Sequence, residues 1–109
     1  MRRRVVRSEG FVQRAEALYP PGGSGEGRPS FELFCAGPLR AVEELFSRRF
    51  DDQPEAVEGT AVRFALTHDL PIFPAMVFYA WLGTDGAVEL LDVVVDEEFF
   101  DRIADDPLD

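Results

Sequence analysis

Three consecutive stretches between residues 60 and 96 have the residue patterns of β-strands. From Val62 to Thr67 the side chains alternate between two sets, as in a strand with one buried face. Residues 75–82 carry no charge at all. A strand that is apolar on both faces must be covered on both faces, so this octet is predicted to be the middle strand of a small antiparallel sheet. Asp85-Gly86 predicts a tight turn between the octet and the last strand, residues 88–95.

Helical patterns precede and follow these strands. Residues 3–7 predict a short first strand, and Ser8 is a plausible N-cap for a first helix that Pro20-Pro21 ends. A second helix is predicted to open at Gly37-Pro38, with Pro38 at its first position. Asp96 is predicted to cap a terminal helix. The apolar faces of the three helices are Phe11, Ala15, Leu18 and Tyr19; then Leu39, Val42, Leu45, Phe46 and Phe50; and finally Phe99, Phe100 and Ile103.

The predicted order is β-α-α-β-β-β-α, which gives an α+β fold with two helices packed on one face of the sheet. The other face has to be covered by the terminal helix or by a partner, and Tyr79 and Trp81 make it a candidate interface. With 109 residues the chain is predicted to form a single domain, 1–109. Residues 20–30, rich in Gly, Pro and Ser, predict a flexible loop that lacks the lysine of a phosphate-binding loop, and residues 105–109 predict a frayed acidic tail.

Charge is distributed unevenly along the chain. The net charge is −10; the first 50 residues hold nine arginines and six acids, while residues 51–109 hold two arginines and fifteen acids. This distribution predicts a molecule with a basic patch at one side and an acidic field elsewhere, and the net field repels nucleic acid at a distance. The arginines either form one nucleic-acid-binding surface or are solvated individually: Arg2, Arg3, Arg4, Arg7, Arg48 and Arg49.

The cysteine content and the length of the uncharged runs indicate the cellular compartment in which the protein is expected. The single Cys35 excludes an internal disulfide and is expected to be a buried, inert thiol. The arginine-rich start is not followed by the apolar region of a signal peptide, and the longest uncharged run, residues 70–83, is too short to span a bilayer. We therefore expect a cytoplasmic protein that does not enter a membrane.

Three segments of the chain occur in an order that a known family shares. They are Val5-Val6-Arg7-Ser8-Glu9-Gly10-Phe11, Val62-Arg63 followed by Phe73-Pro74-Ala75-Met76-Val77-Phe78-Tyr79, and Val88-Glu89-Leu90-Leu91-Asp92-Val93. The first segment is an opening strand that runs into a helix, the second is an Arg-bearing strand followed by an aromatic strand ending in Tyr, and the third is the last strand. In these three features the chain resembles the RelE/ParE toxin superfamily. The resemblance covers most of the chain and rests on element order and apolar placement.

The resemblance implies a bacterial toxin that a helical segment of a cognate antitoxin neutralises. RelE-like members cut messenger RNA on the ribosome, and ParE-like members poison DNA gyrase, so RNA or gyrase would be the target. Ribonuclease chemistry needs cations and an acid/base pair around the scissile phosphate. The resemblance assigns the cation to Arg63, with Tyr79 and His68 as proton-transfer groups.

Other interpretations of these residues stay open from the sequence alone. The chain is alternatively an acidic interaction module, or a homodimer through the apolar sheet face, with no nuclease activity; the acidic C-terminal half argues against an endoribonuclease. His68-Asp69 is either a proton-transfer pair or a loop histidine beside a turn-forming aspartate. Asp92, Asp96 and Glu97 either hold a divalent ion or are an edge charge and helix caps, and we expect neither a metal nor a cofactor.

Overall fold

The computed structural model describes residues 2–23, 27–68 and 70–96. The predicted terminal helix and acidic tail, and the centre of the predicted flexible loop, lie outside these residues. The elements in chain order are β1 (Val5–Arg7), α1 (Glu9–Leu18), α2 (Phe31–Phe34), a π-helical turn (Cys35–Leu39), α3 (Arg40–Arg49), a 3₁₀ turn (Phe50–Asp52), β2 (Val62–Thr67), β3 (Met76–Leu82) and β4 (Val88–Val95).

The four strands form one sheet in the order β1-β4-β3-β2. Strand β3 is antiparallel to both of its neighbours, so the uncharged octet is a central strand, as predicted. Strand β1 pairs in parallel with β4, with Val5 beside Val88, which makes the sheet mixed. The α+β fold class and the order of the described elements are confirmed.

The core lies between the helices and one side of the sheet, which we call the inner face. Met76, Phe78 and Ala80 of β3 point to this face and are fully buried. The Phe78 ring centroid lies 6.2 Å from that of Phe11 in α1 and 6.0 Å from that of Phe34 in α2. Each fully buried phenylalanine contributes about 1.5–3 kcal/mol through removal of its surface from water. This aromatic contact holds the two helices on the same side of the sheet.

Helix α1 begins where its capping residue predicts. The backbone N–H of Phe11 donates to Ser8 Oγ at 3.0 Å, which satisfies one of the N–H groups that the first helical turn leaves unpaired. Phe11 and Ala15, four residues apart, are the buried positions of this helix. Helix α1 ends at Leu18, just before Pro20, which cannot continue a helical hydrogen-bond pattern.

The second helical segment begins earlier than the sequence predicts. It starts at Phe31, where Ser30 Oγ accepts a hydrogen bond from the Leu33 N–H at 3.2 Å. The prediction that Pro38 occupies the first position of the helix is wrong, because Pro38 lies inside the helical segment and is buried. The predicted apolar face is otherwise confirmed: Val42, Phe46 and Phe50 are buried.

A π-helical turn lets the chain remain helical across Pro38. Proline has no N–H to donate, and in an α-helix its ring collides with the carbonyl four residues earlier, here that of Phe34. The wider turn over Cys35–Leu39 separates these groups, so α2 passes into α3 without a break. The buried side of the segment therefore extends from Phe34 to Leu39 and onward into α3.

The β3–β4 turn has the geometry that Asp85-Gly86 predicts. The Gly83 N–H donates to the Ala87 carbonyl at 2.8 Å, and the Gly86 N–H donates to the Gly83 carbonyl at 3.1 Å. Gly86 has a φ of 85°, a conformation that a side chain disfavours. The turn fixes the register of β3 against β4 near its own end of the hairpin.

A β-bulge changes that register farther along the hairpin. Ala80 pairs with Leu90, but the preceding residue, Tyr79, pairs with Asp92, so Leu91 is an extra residue in β4. Beyond the bulge, every β4 side chain lies on the face opposite to the one that simple alternation from the turn would assign.

Candidate functional site

The three residues assigned to catalysis do not converge in the structure. Arg63 pairs with Ala80 across the β2–β3 ladder, whereas Tyr79 pairs with Phe64. Paired residues share a face and neighbouring residues alternate, so the Arg63 and Tyr79 side chains lie on opposite faces of the sheet. His68 follows the end of β2, five residues beyond Arg63 and roughly 17 Å away along an extended chain.

Arg63 is engaged in contacts with its own fold. Its guanidinium donates to the backbone carbonyl of Gln53, and its central carbon lies 5.6 Å from the centroid of the Phe50 ring. These contacts fasten β2 to the segment that follows α3, and a cation over an aromatic face adds about 0.5–1 kcal/mol at an exposed site. The contacts give Arg63 a packing role that is independent of any phosphate.

Most of the arginines predicted to bind nucleic acid are paired with carboxylates. Arg2 lies 2.9 Å from Glu44, and Glu44 also forms an ion pair with Arg48 at 2.8 Å. Arg7 contacts Glu43 at 3.0 Å, and these hydrogen bonds raise the pKa of the Arg7 guanidinium.

Two more pairs complete the neutralised set. Arg3 lies 2.8 Å from Asp51, and Arg4 lies 2.9 Å from Asp85. Arg49 is the one predicted member without a carboxylate partner among the described residues. A polyanion would have to compete with these carboxylates, each of which places a negative charge beside the arginine it neutralises.

The side of the sheet that faces away from the core, which we call the outer face, is largely apolar. Its apolar members are not among the residues that pack against the core, and Trp81 and Val94 are 41% and 39% exposed. Strand pairing arranges the face in three rows: Val6, Glu89, Trp81 and Val62; then Asp92, Tyr79 and Phe64; then Val94, Val77 and Leu66. An exposed apolar surface of this kind is typical of an interaction site.

The bulge places two acidic residues on this face. Glu89 and Asp92 are three positions apart in β4, a spacing that plain alternation would put on opposite faces. With Leu91 as the extra residue, Glu89 pairs with Trp81 and Asp92 pairs with Tyr79, and both partners point outward. Asp92 is partnered by Arg14 of α1, with 3.5 Å between Nε and Oδ1, where β1 no longer covers the edge of β4.

The Trp81 indole is held in a defined orientation at the hairpin end of the outer face. Its Nε1–H donates to Glu89 Oε1 at 2.8 Å, across the β3–β4 ladder. A cavity of about 420 Å³ lies beside this pair and reaches Val6 of β1 and Asp85 of the turn. Counting outward from the predicted turn places Trp81 opposite Glu89, so strand register is the signal in the sequence from which this pair could be predicted.

Burial affects two other potentially reactive groups, the thiol of Cys35 and the hydroxyl of Tyr19. Burial raises the pKa of the Cys35 thiol, which disfavours the reactive thiolate. Burial likewise raises the pKa of Tyr19, whose hydroxyl lies 3.8 Å from the sulfur of Met76. Within residues 2–23, 27–68 and 70–96, no group of three His, Cys, Asp or Glu side chains is arranged to hold a metal ion, and no helix is long and apolar enough to cross a membrane.

No protein-family model matches the chain, and comparisons with curated proteins and with solved structures found no match.

Proposed function

We propose that this protein is a non-catalytic interaction module that binds a helical segment of a partner protein across the outer face of its sheet. The observation that carries the proposal is the group of aromatic and aliphatic side chains on the outer face, where Tyr79 is half-buried and Trp81 and Val94 are 41% and 39% exposed. The carboxylate of Glu89 lies beside Trp81 and has no ion pair among the described residues, so the favoured segment has an apolar stripe flanked by basic side chains.

The size of the outer face favours a single helix over a globular partner. Four strands about 4.8 Å apart and about 20 Å long span roughly 400 Å². A stable dimer of globular chains commonly buries about 800 Å² on each side, about twice this area. A helix about 10 Å wide crosses the face in about four turns and covers roughly half of it, so one helix fits within the area available.

The proposal is tested by selecting binders and then changing the face. A displayed library of 16-residue helical peptides is panned on the wild-type protein, and the dissociation constants of the enriched peptides are measured on two variants. Val94→Lys adds a cation to the outer face, and Val57→Lys makes the same change at an exposed valine in the loop before β2.

We expect enriched peptides with basic residues beside an apolar stripe, and we expect Val94→Lys to weaken their binding about tenfold. The loss combines the contact of one valine with like-charge repulsion, together about 1.4 kcal/mol. Val57→Lys should bind as wild type does. Peptides that bind both variants equally well, or a library that yields none, would overturn the proposal.

A second copy of the chain is the other occupant that the outer face admits. A sedimentation experiment across a hundredfold range of concentration separates the two cases. A monomer throughout supports the helical partner, whereas a dimer that Val94→Lys dissociates and Val57→Lys does not would replace it with a homodimer.

A toxin of the RelE/ParE type is the second candidate function, and the order of the described elements favours it. The chain has a strand, two helical segments and three antiparallel strands in the sequence that the resemblance leads us to expect. Such a toxin would act on RNA or gyrase and would be neutralised by an antitoxin, with Arg63, Tyr79 and His68 in its site.

Expression in a bacterial host separates this candidate from the first. If the protein is such a toxin, the wild-type protein should arrest growth and Arg63→Ala should relieve the arrest. Arg40→Ala is the matched control, because Arg40 is an exposed arginine of α3 that belongs neither to the predicted catalytic residues nor to the predicted nucleic-acid-binding set. Normal growth at high levels of folded wild-type protein removes the candidate.

A further inference from the structure

One corner of the outer face combines an aromatic ring, an unneutralised carboxylate and an open cavity. The cavity of about 420 Å³ lies where the β3–β4 turn meets β1, and Trp81, Glu89, Asp85 and Val6 line it. Trp81, Glu89 and Val6 are neighbours in one row across three strands, so the sheet itself fixes their spacing. A site on paired strands is held more rigidly than one on a loop.

The hydrogen bond to Glu89 orients the indole without covering its ring face. An indole N–H lies in the plane of the ring, so the 2.8 Å bond to Glu89 Oε1 occupies only the ring edge. Trp81 remains 41% exposed. Of the aromatic side chains, tryptophan attracts cations most strongly over its ring face.

No cation in the described part of the chain balances the charge of Glu89. Among the described residues, its carboxylate accepts from the Trp81 N–H and has no ion pair. Asp85, on the opposite side of the cavity, is by contrast already paired with Arg4 at 2.9 Å. The corner therefore presents one free negative charge next to an aromatic face.

We infer that this corner binds the guanidinium group of an arginine side chain, which would anchor the basic flank of the partner helix. A guanidinium is planar and weakly hydrated, so it stacks on an indole while its N–H groups donate to a carboxylate beside the ring. The statement that this arginine belongs to the partner helix rests on the proposed function. The affinity of the corner for a guanidinium is measurable without the partner.

The chain contains a reporter for this site, because Trp81 is its only tryptophan. The probe is N-acetyl-arginine amide, and its matched neutral control is N-acetyl-citrulline amide, which has nearly the same shape. Each is titrated while the indole N–H resonance and the tryptophan fluorescence are recorded. We expect a saturable change with the arginine compound and none with citrulline.

Glu89→Gln tests the charge while it retains a hydrogen-bond acceptor for the indole. We expect this variant to weaken arginine binding about two- to fivefold, because an exposed carboxylate–guanidinium pair contributes up to about 1 kcal/mol. Glu58→Gln removes an exposed carboxylate from the loop before β2 and should bind as wild type does. Equal responses to arginine and citrulline, or unchanged binding by Glu89→Gln, would overturn the inference.

The peptides selected on the outer face distinguish this inference from the proposed function. If citrulline replaces arginine in such a peptide without loss of affinity, the inference fails and the proposed function stands. If the arginine amide binds at Trp81 but no peptide binds the face, the proposed function fails and the guanidinium site stands.

Discussion

Replacement of Thr67 by valine is expected to stabilise the protein. Thr67 is 9% exposed, and its Oγ1 is inaccessible to solvent and has no hydrogen-bond partner among the residues that the structure describes. A buried hydroxyl without a partner costs about 1–3 kcal/mol, and valine fills nearly the same volume without a polar atom. We therefore expect Thr67→Val to raise the free energy of unfolding by about 1–2 kcal/mol. Both side chains are β-branched, so strand preference does not oppose the change.

Urea unfolding followed by circular dichroism measures this change. The midpoint should rise while the slope stays constant, because the surface exposed on unfolding is unchanged. Thr60→Val is the matched control: Thr60 Oγ1 donates to the Val57 carbonyl at 2.7 Å, and its loss should lower stability by about 1 kcal/mol. A stability of Thr67→Val at or below that of wild type would refute the reasoning, since it would mean that the native hydroxyl has a partner.

Three further predictions test local features of the fold. Ile72 is exposed and has a φ of 63°, a strained conformation for a β-branched residue. Ile72→Gly should therefore raise the melting temperature and increase the free energy of unfolding by up to about 1 kcal/mol. Ile72→Ala retains a Cβ and should not. Val93→Thr should cost about 1–3 kcal/mol in urea unfolding and Val94→Thr less than about 0.5 kcal/mol, because Val93 is fully buried and its neighbour faces outward. A hydrogen bond from Arg3 lowers the pKa of Asp51 below its usual 3.8, so Arg3→Gln should raise the pKa toward 3.8 in a carboxyl NMR titration. The stabilising contribution of that pair is present above pH 3.8 and is lost as pH falls through the lower folded pKa, and Arg3→Gln should lack it. Equal costs for the two valine variants, an Ile72→Gly protein no more stable than the Ile72→Ala protein, or an unchanged carboxyl titration would contradict the respective arguments.

The parts of the fold that sequence reasoning predicted are those with local physical signals. An uncharged run of strand length, a turn at Gly86 and a cap at Ser8 each restrict the backbone by themselves, and all three are confirmed. The central place of β3 in the sheet followed from its lack of charge, because an apolar strand needs cover on both sides.

The missed features depend on contacts distant in sequence. Pro38 is normally a boundary signal, and only the packing of Phe34 and Leu39 into one core explains why a wider helical turn is retained there. The bulge at Leu91 has no glycine or proline to announce it. Its one trace in the sequence is that the buried residues Leu90 and Val93 are three positions apart instead of two.

The candidate site was predicted only as a face. The apolar character of Tyr79 and Trp81 indicated an interface, but the acidic residue beside the indole emerges from strand register. The pairing of arginines with carboxylates also could not be predicted from the sequence, because the partners are as distant along the chain as Arg4 and Asp85.

The parallel pairing of β1 with β4 affects how the chain is made. Val5 and Val88 are neighbours in the sheet although more than eighty residues separate them. During synthesis β1 has no pairing strand until the residues of β4 have left the ribosome. In that interval the side of α1 that bears Phe11 has no sheet to pack against, so the unfinished fold exposes apolar surface of the kind that promotes aggregation.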